Sequence, residues 1–97
     1  MFPPNHVYEG YRIECALTPG DYGIVYIATR ISDGERVALK FCTRLNDADA
    51  VTRFENENQI LHHLHQHPQV IEPLTQIIRP GDGNIYYAME LADLNLE

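Results

Sequence analysis

Apolar and polar residues alternate along much of the first forty residues with the period of two that is typical of β-strands. Turn-forming residues interrupt this pattern twice. The segment 18–23 has the composition of a turn, and Asp33-Gly34 is typical of a tight hairpin. The alternation therefore predicts three antiparallel strands joined by short turns, at residues 11–17, 24–30 and 36–43.

The period then changes to that of an amphipathic helix, which we expect from Asp47 to about His65. Asn46, Asp47 and Asp49 suit the first turn, because their side chains can cap backbone N–H groups. Pro68 ends the pattern, since the residue before a proline is pushed away from helical angles. The predicted buried stripe of this helix consists of Val51, Phe54, Ile60, Leu61 and Leu64.

Two further strands are expected at residues 70–78 and 85–91, connected by a Gly- and Asp-containing loop at 80–84. The predicted order is βββ-α-ββ. This order is an α+β fold with a five-stranded antiparallel sheet and one main helix. We expect residues 1–7 to be a flexible lead-in and residues 8–95 to form a single domain.

Composition and charge argue against several classes of function. The chain has 97 residues, 44% of them hydrophobic, and a formal charge of −7, which argues against binding to nucleic acid. No apolar run approaches the roughly 20 residues that span a bilayer, and the N-terminus does not resemble a signal peptide. Cys15 and Cys42 lack CxxC spacing. Two such thiols indicate a reducing compartment, so we expect a cytoplasmic protein.

The turn between the first two predicted strands is the first candidate for chemistry. Gly20 and Gly23 flank Asp21 and Tyr22. Glycines at this spacing can expose backbone N–H groups that suit phosphate oxygens. An ordinary turn without a ligand has the same composition, so this motif alone leaves both interpretations open.

Lys40 is the second candidate, because it lies between Leu39 and Phe41 in a predicted strand and points to the face opposite theirs. If that face is buried, the ammonium requires an anionic partner. Glu57 is the better partner on the helix, since it lies four residues before Leu61 and shares its face. Glu55 is turned away from Glu57 by about 160°. A solvated lysine and an exposed glutamate are the alternatives.

Five sequence landmarks occur in order along the chain. Residues 17–25 are similar to the glycine-rich loop G-x-G-x-x-G-x-V, with Thr18 in place of the first glycine, and residues 37–40 are similar to V-A-I-K. On these landmarks the chain resembles the N-terminal, ATP-binding lobe of the eukaryotic-type (Hanks-type) serine/threonine protein kinases over about residues 8–95. The landmarks are Leu17 to Val25, Val37 to Lys40, Glu57 to Leu64, His67 to Ile71 and Ile85 to Ala92.

The resemblance implies a role for each matching residue. Gly20 and Gly23 would let the loop fold over the phosphates of ATP, with Tyr22 at its tip. Lys40 and Glu57 would be the catalytic pair, in which Lys40 holds the α- and β-phosphates. The remaining nucleotide-binding residues implied are Leu17, Val25, Ala38, Met89, Glu90, Leu91 and Ala92.

Within that set, Val25 and Ala38 would pack above the adenine and Met89 would be the gatekeeper behind it. The resemblance implies an ATP-dependent kinase acting on Ser or Thr of a protein substrate, with Mg²⁺ held mainly by a C-terminal lobe. The H-R-D and D-F-G motifs do not occur in this sequence, so we expect the 97 residues alone to be inactive. Two alternatives stay open: a pseudokinase-type binding module and a stand-alone protein-interaction domain.

Two features near the ends of the predicted elements carry further expectations. Leu96-Glu97 is a dipeptide that cloning sites often leave, which predicts a deliberately truncated chain whose exposed interlobe surface favours self-association or a domain swap. His63 and His67 have the i, i+4 spacing of a metal pair. We favour a solvated helix end there and expect no metal site.

Overall fold

One antiparallel sheet and one helix make up the computed structural model, which describes residues 2–17, 23–63 and 73–90. The strands follow one another in the sheet in chain order, and this confirms the predicted α+β fold class. Among the described residues, no helix is long and apolar enough to cross a membrane. The elements are β1 Val7–Tyr8, β2 Tyr11–Ala16, β3 Gly23–Arg30, β4 Arg36–Cys42, α1 Ala48–His63 and β5 Tyr86–Glu90.

The hairpin between β3 and β4 forms as the Asp-Gly pair predicts. Gly34 has a φ of +75°, a conformation that side chains with a Cβ rarely adopt. Its N–H donates to the carbonyl of Arg30 at 2.7 Å, and the Arg30 guanidinium pairs with Asp33 at 2.8 Å. These contacts pin the register, in which Val25 lies opposite Lys40.

Alternation along the strands gives the sheet two different faces. One face, here called the aromatic face, carries the main core cluster and is almost fully buried. Stacked and edge-on rings dominate it, including the Phe41 and Tyr86 rings, whose centroids lie 4.9 Å apart. The buried residues of the aromatic face are Tyr11, Ile13, Tyr26, Ala28, Val37, Leu39, Phe41, Tyr86 and Ala88.

Residues near the N-terminus lie against the aromatic face. The Phe2 ring packs on Tyr26 and Phe41, and the Phe2 N–H donates to the Tyr26 hydroxyl at 3.1 Å. Val7 already belongs to β1, which pairs with β2. The sheet thus begins within the segment predicted as a lead-in, while the flexibility of that segment stays a prediction.

Helix α1 packs on the other face of the sheet, here called the helix face. Asp47 caps it as predicted, because its Oδ1 accepts from the N–H groups of Asp49 and Ala50 at 3.0 and 3.2 Å. The buried helix residues are Ala50, Phe54 and Asn58.

The prediction of a buried stripe on α1 was wrong at Ile60, which is 55% exposed. The buried positions follow i, i+4 spacing from Ala50 through Phe54 to Asn58, and Ile60 lies about 120° around the helix from Phe54. Hydrophobicity alone favoured Ile60 over the small Ala50 and the polar Asn58. Leu64 and the predicted helix end at His65 lie outside the described residues.

The predicted strand at 70–78 is the main correction. Within its described part, Pro73 and Ile78 form only isolated bridges to β5. The Thr75 carbonyl turns toward α1, where it accepts from Asn58 Nδ2 at 3.1 Å and lies 3.0 Å from His62 Nε2. The Thr75 hydroxyl, rather than a carbonyl, accepts from the Ala88 N–H. A regular ladder between this segment and β5 cannot form while that carbonyl faces the helix. The sheet still has five strands, because β1 pairs with β2.

Candidate functional site

Lys40 lies on the helix face of β4. Its neighbours Leu39 and Phe41 are fully buried on the aromatic face, so strand alternation directs Lys40 to the opposite side. The Lys40 side chain is 23% exposed, and its stem packs within the sheet while its ammonium reaches the helix. This placement is the partly buried one that required an anionic partner.

Glu57 of α1 supplies that partner. Lys40 Nζ lies 2.6 Å from Glu57 Oε1, so the structure brings the two residues together as predicted. Glu55 instead pairs with Arg79 on another side of the helix. The Glu57 side chain is 45% exposed, and such pairs contribute about 1 kcal/mol or less to stability. The pair therefore matters more for where it holds the ammonium than for the stability of the fold.

Tyr87 is a third member of the site that sequence reasoning missed. Its hydroxyl donates to Glu57 Oε1 at 3.1 Å, the same oxygen that binds Lys40. Tyr87 is fully buried, and its ring packs on Phe54 with centroids 5.3 Å apart. Burial, and next the negative charge of Glu57, raise the pKa of the Tyr87 hydroxyl far above its ordinary value.

The register between β4 and β5 brings Tyr87 into the site. β4 and β5 pair so that Lys40 lies opposite Tyr87 and Ala38 lies opposite Met89. Directly opposite residues share a face of the sheet. Sequence alone places Tyr87 in a strand but does not say which residue of β4 it faces, so its link to Lys40 appears only after folding.

An apolar surface lies beside the Lys40 ammonium on the helix face. Val25, opposite Lys40, is partly exposed, and Ala38, opposite Met89, is buried. Met89 is partly buried against the cluster around Tyr87. Leu17 adjoins this surface at the end of β2: its N–H donates to the Val25 carbonyl at 2.8 Å, and its side chain is exposed. The register thus places the small Ala38 and the larger apolar residues Val25 and Met89 on the same face of the sheet as the Lys40 ammonium.

Gly23 is required by a close approach of two strands. A Cβ on Gly23 would lie 2.7 Å from the Phe41 carbonyl oxygen and 3.3 Å from Lys40 Cε. Any larger residue would push against the backbone of β4 and the stem of Lys40. The missing side chain of Gly23 therefore leaves room for β4 and for the Lys40 stem. Contact between Gly23 and a ligand is a separate prediction.

Several predicted site residues lie outside the described part of the chain. Gly20 and Tyr22 fall in the segment 18–22, and Leu91 and Ala92 fall after Glu90. Glu90 itself is exposed at the end of β5, opposite Val37. The predictions for the phosphate loop and for the backbone after Glu90 stay predictions.

The two histidines at the end of α1 border the same open polar cleft of about 320 Å³. His62 lies against the Thr75 carbonyl, whereas His63 is exposed. His65 and His67 lie outside the described residues. Within the described ranges, no three His, Cys, Asp or Glu side chains are placed to hold a metal ion.

Known proteins similar to this chain are protein kinases, although no protein-family model matches the sequence. Mitogen-activated protein kinase 15 of Xenopus laevis is 34% identical over 94 residues, which are 95% of this chain and 16% of the relative. The probable serine/threonine-protein kinase YbdM of Bacillus subtilis is 33% identical over 85 residues, or 86% of this chain and 32% of the relative. The chain thus spans about a sixth to a third of these relatives.

Solved structures show the same fold. The Mycobacterium tuberculosis PknI kinase domain, crystallised as a mutant, has a TM-score of 0.72 at 23% identity, over 96% of this chain and 37% of that domain. The apo form of PpkA-294 has a TM-score of 0.76 at 18% identity, over 94% of this chain and 38% of that one. In both, the likeness covers nearly all of this chain and little more than a third of the other protein.

Proposed function

We propose that this chain, which corresponds in sequence and fold to the N-terminal lobe of the eukaryotic-type serine/threonine protein kinases, is the ATP-binding part of such an enzyme. That enzyme would transfer the γ-phosphate of ATP to serine or threonine of a protein substrate. The observation that carries the proposal is the Lys40–Glu57 pair, 2.6 Å between Nζ and Oε1, beside an apolar surface.

The Lys40 ammonium and the apolar residues beside it suit a nucleoside triphosphate. The Lys40 ammonium would bind the α- and β-phosphates, and Glu57 would act as a positioning residue that orients it. Val25 and Ala38 would cover one face of the adenine, with Leu17 at the rim and Met89 behind. A cation next to an apolar surface matches the two ends of this ligand, because the phosphates are anionic and the base is flat and apolar.

The remaining contacts would come from segments on either side of the site. Backbone groups of Glu90, Leu91 and Ala92 would bond the edge of the adenine, and the loop with Gly20 and Tyr22 would cover the phosphates. Mg²⁺ would be held mainly by a C-terminal lobe, which would also supply the catalytic aspartate. We therefore propose that the 97 residues alone bind ATP weakly and transfer no phosphate. We also keep the expectation of a cytoplasmic location.

The test is a titration with ATP watched at Met89. Met1 and Met89 are the only methionines, so a labelled methyl group gives one internal NMR signal. ATP is expected to shift that signal and to bind more tightly than adenosine, because adenosine lacks the phosphates that Lys40 would hold.

Lys40→Gln is the matched variant for this experiment, because it removes the ammonium and adds no further methionine methyl signal. It should leave the response to adenosine unchanged and remove the advantage of ATP over adenosine. ATP that fails to shift the Met89 methyl, or that keeps its advantage in Lys40→Gln, contradicts the proposed nucleotide site.

The helix face would also meet the C-terminal lobe, which makes it an apolar surface open to self-association in the isolated chain. Sedimentation at several concentrations tests this proposal. Dimers are expected, whereas a monomer at every concentration contradicts it.

A further inference from the structure

Tyr87 is buried between the sheet and α1, where it shares an acceptor oxygen with Lys40. We propose that Tyr87 is a positioning residue that anchors the Glu57 carboxylate and so holds α1 where the Lys40–Glu57 pair forms. The proposal rests on the proposed function only for the importance of that pair to a nucleotide.

The geometry places two donors on one oxygen. Lys40 Nζ donates to Glu57 Oε1 at 2.6 Å, and the Tyr87 hydroxyl donates to the same atom at 3.1 Å. The donors come from adjacent strands, at positions directly opposite one another in the register. Glu57 is therefore held from β4 and β5 together, although it belongs to neither strand.

The two donors differ in how firmly they are held. The Lys40 stem has four rotatable bonds, and the Glu57 side chain is nearly half exposed, so water can compete for this pair. Tyr87 is rigid by comparison, because it is fully buried and its ring packs on Phe54, which belongs to the same helix as Glu57. The rigid donor, rather than the flexible one, is able to define where the carboxylate lies.

Burial also makes the hydroxyl depend on Glu57. A buried donor that loses its partner cannot turn to water, so a movement of Glu57 away from the sheet would leave the hydroxyl unsatisfied. The raised pKa of Tyr87 keeps its proton in place at ordinary pH, so it remains a donor throughout that range. Tyr87 thus opposes an outward displacement of α1.

The chain offers a clean probe of this arrangement, because Lys40 is its only lysine. An amine-acetylating reagent modifies a lysine faster when the ammonium is released from an ion pair and exposed. Peptide mass spectrometry separates acetylation of Lys40 from that of the N-terminal amine. The rate at Lys40 therefore reports the ion pair without any nucleotide.

Tyr87→Phe removes only the hydroxyl. It is expected to raise the acetylation rate of Lys40 by about fivefold, the effect of losing one hydrogen bond of ordinary strength. Tyr86→Phe is the matched control, since Tyr86 is the next residue of β5 but lies on the aromatic face. This control should leave the rate within about twofold of the wild type.

A double-mutant cycle separates positioning from general loosening. In a Glu57→Ala background, Tyr87→Phe should leave the rate unchanged, because the carboxylate that Tyr87 holds is gone. An equal increase with and without Glu57, or no increase at all, overturns the proposal. Circular dichroism of each variant confirms that it is folded.

A second measurement does not depend on any change at Tyr87. In the wild type, the Tyr87 hydroxyl proton should exchange slowly enough with water to give an NMR signal. That signal should disappear in Glu57→Ala. If it persists there, the hydroxyl is held by something other than Glu57, and the proposal fails.

The test also stays separate from that of the proposed function. ATP added to the acetylation reaction should slow the modification of Lys40 if the nucleotide binds there. Failure of ATP to protect Lys40 counts against nucleotide binding, whereas failure of the mutant cycle counts against the role of Tyr87.

Discussion

The two faces of one strand in this protein serve different purposes. In β4, Val37, Leu39 and Phe41 point to the aromatic face and are fully buried, whereas Lys40 points to the helix face and keeps an ammonium partly in water. The aromatic face is closed by stacked rings and by Phe2. The helix face presents a cation and partly exposed apolar residues. Burial on one face supplies the stability that lets the other face remain incompletely covered.

The largest expected effect on stability comes from removing one ring of the aromatic face. Phe41→Ala should lower the free energy of unfolding by about 3–5 kcal/mol, because it removes a fully buried ring and leaves a cavity among its neighbours. Urea denaturation followed by circular dichroism measures this change. Since a domain of this size has little stability to spare, the variant is expected to unfold at a much lower urea concentration than the wild type. A stable Phe41→Ala variant would show that the stability lies elsewhere.

A smaller effect is expected at Gly23, where β3 and β4 approach each other closely. Gly23→Ala should cost about 1–3 kcal/mol, because its Cβ would press on the Phe41 carbonyl. Gly34→Ala is the control, since a Cβ there meets nothing within 4 Å and its cost comes only from the positive φ, about 1–2 kcal/mol. The same urea titration compares them. A Gly34→Ala variant that loses more than Gly23→Ala contradicts the close-approach argument.

A weaker contribution comes from the contact that ties β1 to the loop before β5. The Tyr8 hydroxyl donates to Asp82 at 2.7 Å, and burial, followed by this bond, raises the pKa of Tyr8 to about 12. Its folded pKa lies above the unfolded value near 10. The stability linked to Tyr8 is therefore complete below about pH 10 and is lost as the pH rises toward 12.

Urea midpoints measured from about pH 9 to 12 test this dependence. Tyr86 and Tyr87 also have raised pKa values, so the wild type should lose stability over this range for several reasons. Tyr8→Phe should make the decline shallower. An unchanged slope would mean that Tyr8 titrates alike in the folded and unfolded states.

The smallest effect on stability is expected at the proposed site itself. Lys40→Gln should change the free energy of unfolding by about 1 kcal/mol or less, since half-exposed ion pairs contribute little. The same variant should lose the advantage of ATP over adenosine. A large loss of stability in Lys40→Gln would erase the distinction between the two faces.

Sequence reasoning succeeded where one local signal decided the outcome. Strand period, an Asp-Gly hairpin and an Asp cap predicted β2, β3, β4 and the start of α1. It failed at residues 73–78 because Thr75 bonds to the helix through its carbonyl, a choice made by a neighbour distant in sequence. It also chose Ile60 over Ala50 and Asn58, because side-chain hydrophobicity does not tell which helix face the sheet will cover.

By itself, the sequence determined β2, β3, β4, α1 and β5, and it determined the choice of Glu57 over Glu55 as the partner of Lys40. Both follow from periods of two and 3.6, which are properties of a single strand or helix. Only the tertiary structure decided that Tyr87 shares the Glu57 oxygen and that Gly23 lies against β4. These contacts depend on the register between strands and on how closely they approach, which the chain settles only when the sheet and the helix pack together.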